Sequence, residues 1–289
     1  MTVTVGLVIC DEPATSGGWA DLGSLAADAE AAGARAVWIT DHLYWHRPTV
    51  DVIAGLQTLA AATHSCTIGP CVLQLPLRDV PSTAKSLAYV AGLAPGRVVA
   101  GVGVGEHDWE YLAAGKADRF HRRGAMVDDG IDGLRWAWAA DVDGRSMTPG
   151  GSVPIWIGGR SAAARRRAAR RGEGWIPHFC RSPWLAEQIP LLARDLAEAG
   201  RPSDAVTLAA VVAVHVDGIE PDTDPHDWLG RLYALPGRAF TNVVMRGTAR
   251  QIADELEDMA QVGVQHVSLV VAGDRPVDHL AAVVDALGS

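Results

Sequence analysis

Short runs of β-branched and aliphatic residues alternate along this chain with longer Ala- and Leu-rich segments whose apolar positions recur at helical spacing. The short runs cover residues 3–10, 36–40, 67–73, 97–104, 154–158, 174–178, 207–216 and 266–272. Most are apolar throughout, without polar alternation, as parallel strands buried on both faces are. Helical patterns fill the intervals at 19–32, 52–63, 81–92, 126–139, 161–171, 183–199, 248–262 and 277–287. Eight β/α units in succession predict an α/β fold, a (β/α)8 TIM barrel in preference to an open doubly wound sheet, with residues 1–289 as one domain. Gly33, Gly172, Gly200 and Gly263 each follow a helical run and suit the left-handed position after a helix C-terminus. Residues 141–152 and 217–240 read as loops, the second placed after the seventh strand, where it can cover the mouth of the barrel.

Such barrels do their chemistry at the carboxyl ends of the strands. The second strand runs Val37-Trp38-Ile39-Thr40 and stops in Asp41-His42, two titratable side chains at the mouth. The plain alternative is an Asp capping the next turn beside an exposed His. The fourth strand ends Gly101-Val102-Gly103-Val104-Gly105-Glu106. Alternating glycines leave one side of a strand bare for a flat ligand, or serve tight packing at the barrel centre. Glu106 then points into the mouth. The string is not a dinucleotide fingerprint, because Glu106 stands where the third glycine belongs.

The fifth strand ends Gly158-Gly159-Arg160-Ser161 and leads straight into an Ala-rich helix. Two glycines, a fixed cation and Ser161 as N-cap make a phosphate site at a helix N-terminus, the alternative being a plain capped turn. Arg165, Arg166, Arg167, Arg170 and Arg171 read as a solvated helix face. Gly69-Pro70 inside the third strand demands an irregularity, and Cys71 beside it reads as a buried thiol. His42 and His46 stand four residues apart beside Asp41, but the first strand ends Cys10-Asp11-Glu12 with no histidine to complete a ligand set, so no metal is expected.

Composition narrows the classes. A net charge of −9 argues against nucleic acid and anionic membrane surfaces as partners. The cysteines, at 10, 66, 71 and 180, form no CxxC pair and read as reduced thiols of a cytoplasmic protein. The N-terminus has no basic segment before its apolar run, and no stretch reads as a bilayer span. GxSxG, Walker A and HExxH motifs are absent.

Taken as a set, several blocks resemble the luciferase-like family of flavin-type oxidoreductases, and within it the branch that uses the deazaflavin coenzyme F420. They are Ala36–His42, Leu75–Pro81, Gly96–Glu106, Pro154–Gly159, Arg171–Trp175 and Arg246–Ala249, in order along the chain. The resemblance implies a barrel with the coenzyme ring in its mouth, Asp41 contacting the coenzyme and His42 as acid/base toward the substrate. It further implies Glu106 as an acid near the deazaflavin, Glu12 at a second acidic position, and a non-proline cis peptide between Cys71 and Val72 backing the ring. Gly158, Gly159 and Arg160 match the segment that holds the coenzyme phosphate. Two departures bear on substrate: Trp45 stands one place early with His46 in its slot, and Trp109 replaces an Asn. No paired Lys and Arg for a sugar phosphate is evident, so the substrate stays open, with a bulky or aromatic small molecule favoured by Trp45 and Trp109. An FMN-dependent monooxygenase is the alternative. Others are a metal-dependent isomerase or hydrolase using His42, His46 and Glu106, and a barrel that binds without turnover. Family members commonly dimerise, so a homodimer is expected.

Overall fold

The computed structural model describes residues 3–10, 21–146 and 152–288. Each continuous apolar run forms a strand. In order these are β1 (Thr4–Ile9), β2 (Ala36–Ile39), β3 (Thr67–Pro70), β4 (Leu73–Gln74), β5 (Ala100–Gly103), β6 (Asp141–Val142), β7 (Arg145–Ser146), β8 (Ile155–Gly158), β9 (Gly174–Ile176), β10 (Thr207–Val216), β11 (Val244–Gly247) and β12 (His266–Val271). The helices are α1 (Leu22–Ala31), α2 (Val52–Ala62), α3 (Val80–Leu93), α4 (Asp108–Ala113), α5 (Arg123–Ala139), α6 (Ala162–Arg171), α7 (Ser182–Glu198), α8 (Pro225–Tyr233), α9 (Ala249–Gln261) and α10 (Pro276–Gly288).

The expected barrel is present. β12 pairs with β1, β1 with β2 and β2 with β3, all parallel. On the other side β4, β5, β8, β9, β10 and β12 follow one another, again in parallel. β3 and β4 are two halves of one barrel strand, broken at Cys71-Val72, where the peptide bond is cis as the resemblance implied. Ile68 closes the ring by donating to the Arg97 carbonyl at 2.8 Å and accepting from Val99 N–H at 3.0 Å. β11 pairs with the far end of β10.

Two apolar layers follow from burying both strand faces. Val8, Trp38, Val99, Ile176, Val211 and Val270 fill the barrel's interior, with the indoles of Trp38 and Trp156 5.4 Å apart. Alternate residues such as Leu7, Val37, Ile68 and Leu269 meet the helices outside. Removing a fully buried indole such as Trp38 would cost about 3–5 kcal/mol. Helix starts are set by side-chain caps: Asp51 for α2, Asp79 for α3, Ser161 for α6 and a Thr248–Gln251 capping box for α9.

The segments read as loops are more ordered than that. β6 and β7 form a small hairpin at the start of the first one. The second contains α8, because Asp224 caps it, Pro225 opens it, and Trp228, Leu229 and Leu232 bury one face. Gly33, Gly200 and Gly263 have positive φ as expected, whereas Gly172 is extended at φ −102°. A Cβ at Gly172 would lie 3.0 Å from both the Gly174 carbonyl and Ile157, so close packing is its requirement. Among the described residues no helix is long and apolar enough to cross a membrane.

Candidate active site

A cavity of about 370 Å³ opens at the carboxyl ends of the strands. Asp41, His42, Trp45, Cys71, Val72, Gly103, Gly105, Glu106, Gly158 and Gly159, singled out in the sequence from four separate segments, all line it. Arg160 and Ser161 lie beside it without lining it, Trp109 stands outside it, and Glu12 lies outside the described residues.

The best-ordered wall is built on the end of β2. His42 Nδ1 lies 3.2 Å from Glu110 Oε2, and Glu110, on α4, is fully buried. The same carboxylate accepts from the backbone N–H of Leu43 at 2.8 Å and Tyr44 at 3.3 Å, and from Gln74 Nε2 at 3.0 Å. Burial alone would raise the Glu110 pKa, but the hydrogen bonds from His42, Gln74 and Tyr44 outweigh it, and the net shift is downward. Glu110 is therefore an anion. Gln74 Nε2 also stands 3.1 Å from His42 Nδ1, but the Asp41 carbonyl at 2.8 Å and the Glu110 carboxylate at 3.0 Å take its two hydrogens, and the anionic Glu110 is then the acceptor for an Nδ1 proton of His42. His42 Nε2 is left with its lone pair, the arrangement of a base oriented by a carboxylate. Trp45 stacks on the imidazole at 3.9 Å and 25° between planes.

Asp41 is 3% exposed and committed elsewhere. Arg78 grips its carboxylate with Nε at 3.1 Å and Nη2 at 2.5 Å, and Gln74 N–H donates to it at 2.9 Å. Burial would lower the Arg78 pKa, but Asp41 more than compensates and raises it. The pair thus fixes the turn from which His42 projects. Glu106 lines the cavity with a 73% exposed side chain, 3.9 Å from His107, and Glu110 occupies the position bonded to His42.

The glycines of β5 and β8 answer to packing. A Cβ at Gly101 would lie 2.2 Å from the Pro70 carbonyl, one at Gly103 2.4 Å from Val72, and one at Gly158 2.8 Å from Val72. The space read as a bare strand face is filled by the kinked third strand, and Val72 itself forms the cavity wall. Burial pushes the Cys71 thiol up to about 12, so it is unreactive. Ser161 caps α6 by accepting from Ala164 N–H at 3.1 Å. Arg160 donates to the Phe179 carbonyl at 3.1 Å and lies 5.0 Å from the Trp184 ring.

Trp109 stacks with His107 at 5.5 Å and faces His46 at 5.4 Å. His46 has a lowered pKa, from burial and the nearby His107 and His42. No group of three His, Cys, Asp or Glu side chains among the described residues is disposed to hold a metal. The opposite wall comes from the segment after β10: Tyr233, Leu235 and Phe240 line the cavity, and Trp45 Nε1 donates to the Leu232 carbonyl at 3.0 Å. Sequence reasoning missed Glu110, Gln74 and Arg78. The one local sign was an acid set between two aromatics in Trp109-Glu110-Tyr111.

Comparison with known proteins follows the geometry. The model of the family described as luciferase-like monooxygenase matches residues 3–223. An F420-dependent glucose-6-phosphate dehydrogenase of Microbacterium testaceum (strain StLB037) is 32% identical over 212 residues, 65% of this chain and 62% of that protein. The enzyme of the same description from Nocardia farcinica (strain IFM 10152) is 29% identical over 231 residues, 71% of this chain and 66% of that one. The matched part is thus just under two thirds of those relatives' length. The structure of an F420-dependent secondary alcohol dehydrogenase in complex with an F420–acetone adduct superposes with a TM-score of 0.84 at 20% identity, covering 99% of both chains. At that identity the likeness is one of fold.

Proposed function

The chain belongs to the luciferase-like monooxygenase family, and on that premise we propose that it is an oxidoreductase exchanging a hydride between coenzyme F420 and a small organic substrate. The observation that carries this reading is the His42–Glu110 pair on the wall of a largely apolar cavity, with no metal cluster among the described residues to suggest hydrolytic chemistry. The dehydrogenases similar to this chain supply the choice of coenzyme.

The residues present fit such a group. The cavity is open and apolar, walled by Val72 and glycines, and it borders the exposed N-terminus of the ten-residue helix α6. Cys71, Val72, Gly103 and Gly105 would support the ring, while Gly158, Gly159, Arg160 and Ser161 would hold the phosphate against the helix end. Asp41 keeps this wall in place through Arg78 and Gln74. Bound F420 would supply a two-electron hydride donor or acceptor.

His42 Nε2 accepts the hydroxyl proton as an alcohol is oxidised, or returns it as a carbonyl is reduced. The imidazolium formed is stabilised on one side by the Glu110 carboxylate and on its face by Trp45. Glu110 also selects the tautomer, so the base is correctly presented before substrate arrives. Glu106, exposed at the rim, is placed to adjust charge near the coenzyme.

The test is to mix the protein with F420 and a panel of alcohols and follow loss of the coenzyme's visible absorbance. Alcohol-dependent bleaching that disappears in His42→Ala supports the reading. Oxygen consumption with reduced FMN, and none of this bleaching, would replace it with the monooxygenase alternative.

A further inference from the structure

Resting on the reading of His42 as the acid/base, we infer that Gln74 is a positioning residue for the proton step. Its neutral amide holds the Glu110 carboxylate in line with His42 Nδ1 and leaves the negative charge there for the imidazolium. Gln74 stands where several parts of the site meet. It lies on β4, just past the kink at Cys71-Val72, lines the cavity and is 3% exposed. Its backbone N–H donates to the Asp41 carboxylate at 2.9 Å, which ties the base of the side chain to the end of β2.

The amide has more acceptors in reach than hydrogens to give. Within 3.1 Å of Nε2 stand the Asp41 carbonyl, both Glu110 oxygens and His42 Nδ1, and an amide nitrogen carries two hydrogens. Reversing the amide would set its oxygen against the Asp41 carbonyl and the Glu110 carboxylate, lone pair against lone pair, so its orientation is fixed. In that orientation Oε1 is buried and has no hydrogen-bond partner among the described residues. A buried oxygen left unpaired is costly. A methionine of the same length would avoid that cost, so what the amide contributes lies at its nitrogen end. Gly105 leaves the room for it: a Cβ there would lie 2.3 Å from Gln74 Oε1.

Charge explains why the residue is an amide. Burial raises the pKa of Glu110, and the hydrogen bonds from His42 and Gln74 bring it below the ordinary 4.5. A Lys or Arg in the place of Gln74 would cancel the carboxylate's charge, and an acid would repel it or share its proton. A neutral donor keeps the anion and cancels nothing. Arg78, paired with Asp41, and Tyr111 also feel the Glu110 charge. Burial pushes the Tyr111 hydroxyl up to about 12, and Asp41 raises Arg78 against the effect of burial, so neither changes charge between roughly pH 3 and 8.

The experiment compares wild type, Gln74→Met, Glu110→Gln and the double variant. Urea unfolding of the coenzyme-free protein comes first, from pH 7 down to about pH 3.5. A carboxyl group with a lowered folded pKa adds stability that is present above its unfolded value of about 4.5 and lost as pH falls through the folded one. Gln74→Met is therefore expected to lower the urea midpoint at pH 7 by a margin that narrows below about pH 4.5. With Glu110→Gln present that narrowing is expected to vanish. Turnover is then followed with F420 and 2-propanol or 1-phenylethanol. Gln74→Met is expected to lower kcat about tenfold with KM within about twofold, and by less than about threefold once Glu110→Gln is present. A margin equal at every pH, or equal kcat losses in both backgrounds, overturns the assignment. Should Gln74→Met not fold, NMR of the wild-type side-chain amide decides. Two distinct hydrogens protected from exchange support the assignment, and a freely exchanging amide overturns it. Absence of turnover in wild type overturns the functional reading instead, and the unfolding series still decides the link between Gln74 and Glu110.

Discussion

Both ends of the barrel hold a histidine beside an open cavity, and only one of them has a carboxylate for a partner. At the amino ends of the strands, a cavity of about 330 Å³ is lined by Thr4, Arg35, Trp38, Trp156 and His266. His266 there has both ring nitrogens occupied: Nδ1 with Thr4 Oγ1 at 2.9 Å, Nε2 with Ser268 Oγ at 2.8 Å and Trp38 Nε1 at 3.4 Å. These partners are neutral, and burial pulls its pKa down to about 4. At the carboxyl ends, His42 has one nitrogen against the buried Glu110 carboxylate, and among the described residues none bonds to the other. The difference teaches what makes a histidine chemical. Burial with neutral partners locks the ring as a structural link, whereas an anion on one side lets it take up a proton and lose it again.

The largest effect expected from breaking this contrast is on turnover. His42→Ala should lower the rate of hydride transfer about 10³–10⁴-fold while the Kd for F420 stays nearly constant, measured by absorbance and fluorescence titration. Asp41→Ala leaves the largely buried Arg78 with only the more distant Asp51 carboxylate, at 3.9 Å, for an ion-pair partner among the described residues, and should lower stability by about 3 kcal/mol in urea unfolding. Glu110→Gln keeps the shape but removes the charge. It should reduce kcat about a hundredfold, more than KM, by unfixing the His42 tautomer and destabilising the imidazolium.

At the other end, His266→Leu should leave turnover unchanged and lower stability by about 1–3 kcal/mol, through the Thr4, Ser268 and Trp38 groups it orphans. The same variant sharpens the pH dependence. An unfolded-chain histidine takes its proton near 6.5 and the folded His266 near 4, so between those values the unfolded state holds the extra proton. Wild-type stability therefore falls as pH drops from about 6.5 towards 4, and His178 and His279 act in the same direction. His266→Leu should flatten that decline by up to about 1.4 kcal/mol per pH unit, seen in urea melts across the window. The smallest effect belongs to Trp109→Ala. Standing outside the cavity, it should change F420 affinity and KM by less than about twofold in the same titrations.

What was legible in the sequence was what is local in the chain. Continuous apolar runs marked the strands, and the abrupt stop at Thr40-Asp41-His42 marked the mouth, because strand direction places whatever follows a strand at its carboxyl end. The glycines of β5 were visible too, but which atoms fill their missing side chains was not: Val72 is 31 residues away from Gly103 and reaches it only across a kinked neighbour. Glu110 was hidden for the same reason. It meets His42 across 68 residues of chain from the six-residue helix α4, too short to show a periodicity. Gln74 and Arg78 reach Asp41 from 33 and 37 residues away. Charge networks of this kind leave no spacing pattern, so the sequence pointed to His42 and not to the carboxylate bonded to it.

The most direct test of the account is a parallel titration of the purified protein with F420 and with FMN, read by tryptophan fluorescence, since Trp45 lines the cavity. The account predicts saturable quenching by F420 with a Kd at least about tenfold below that for FMN. Binding of FMN as tight as or tighter than F420 would contradict it.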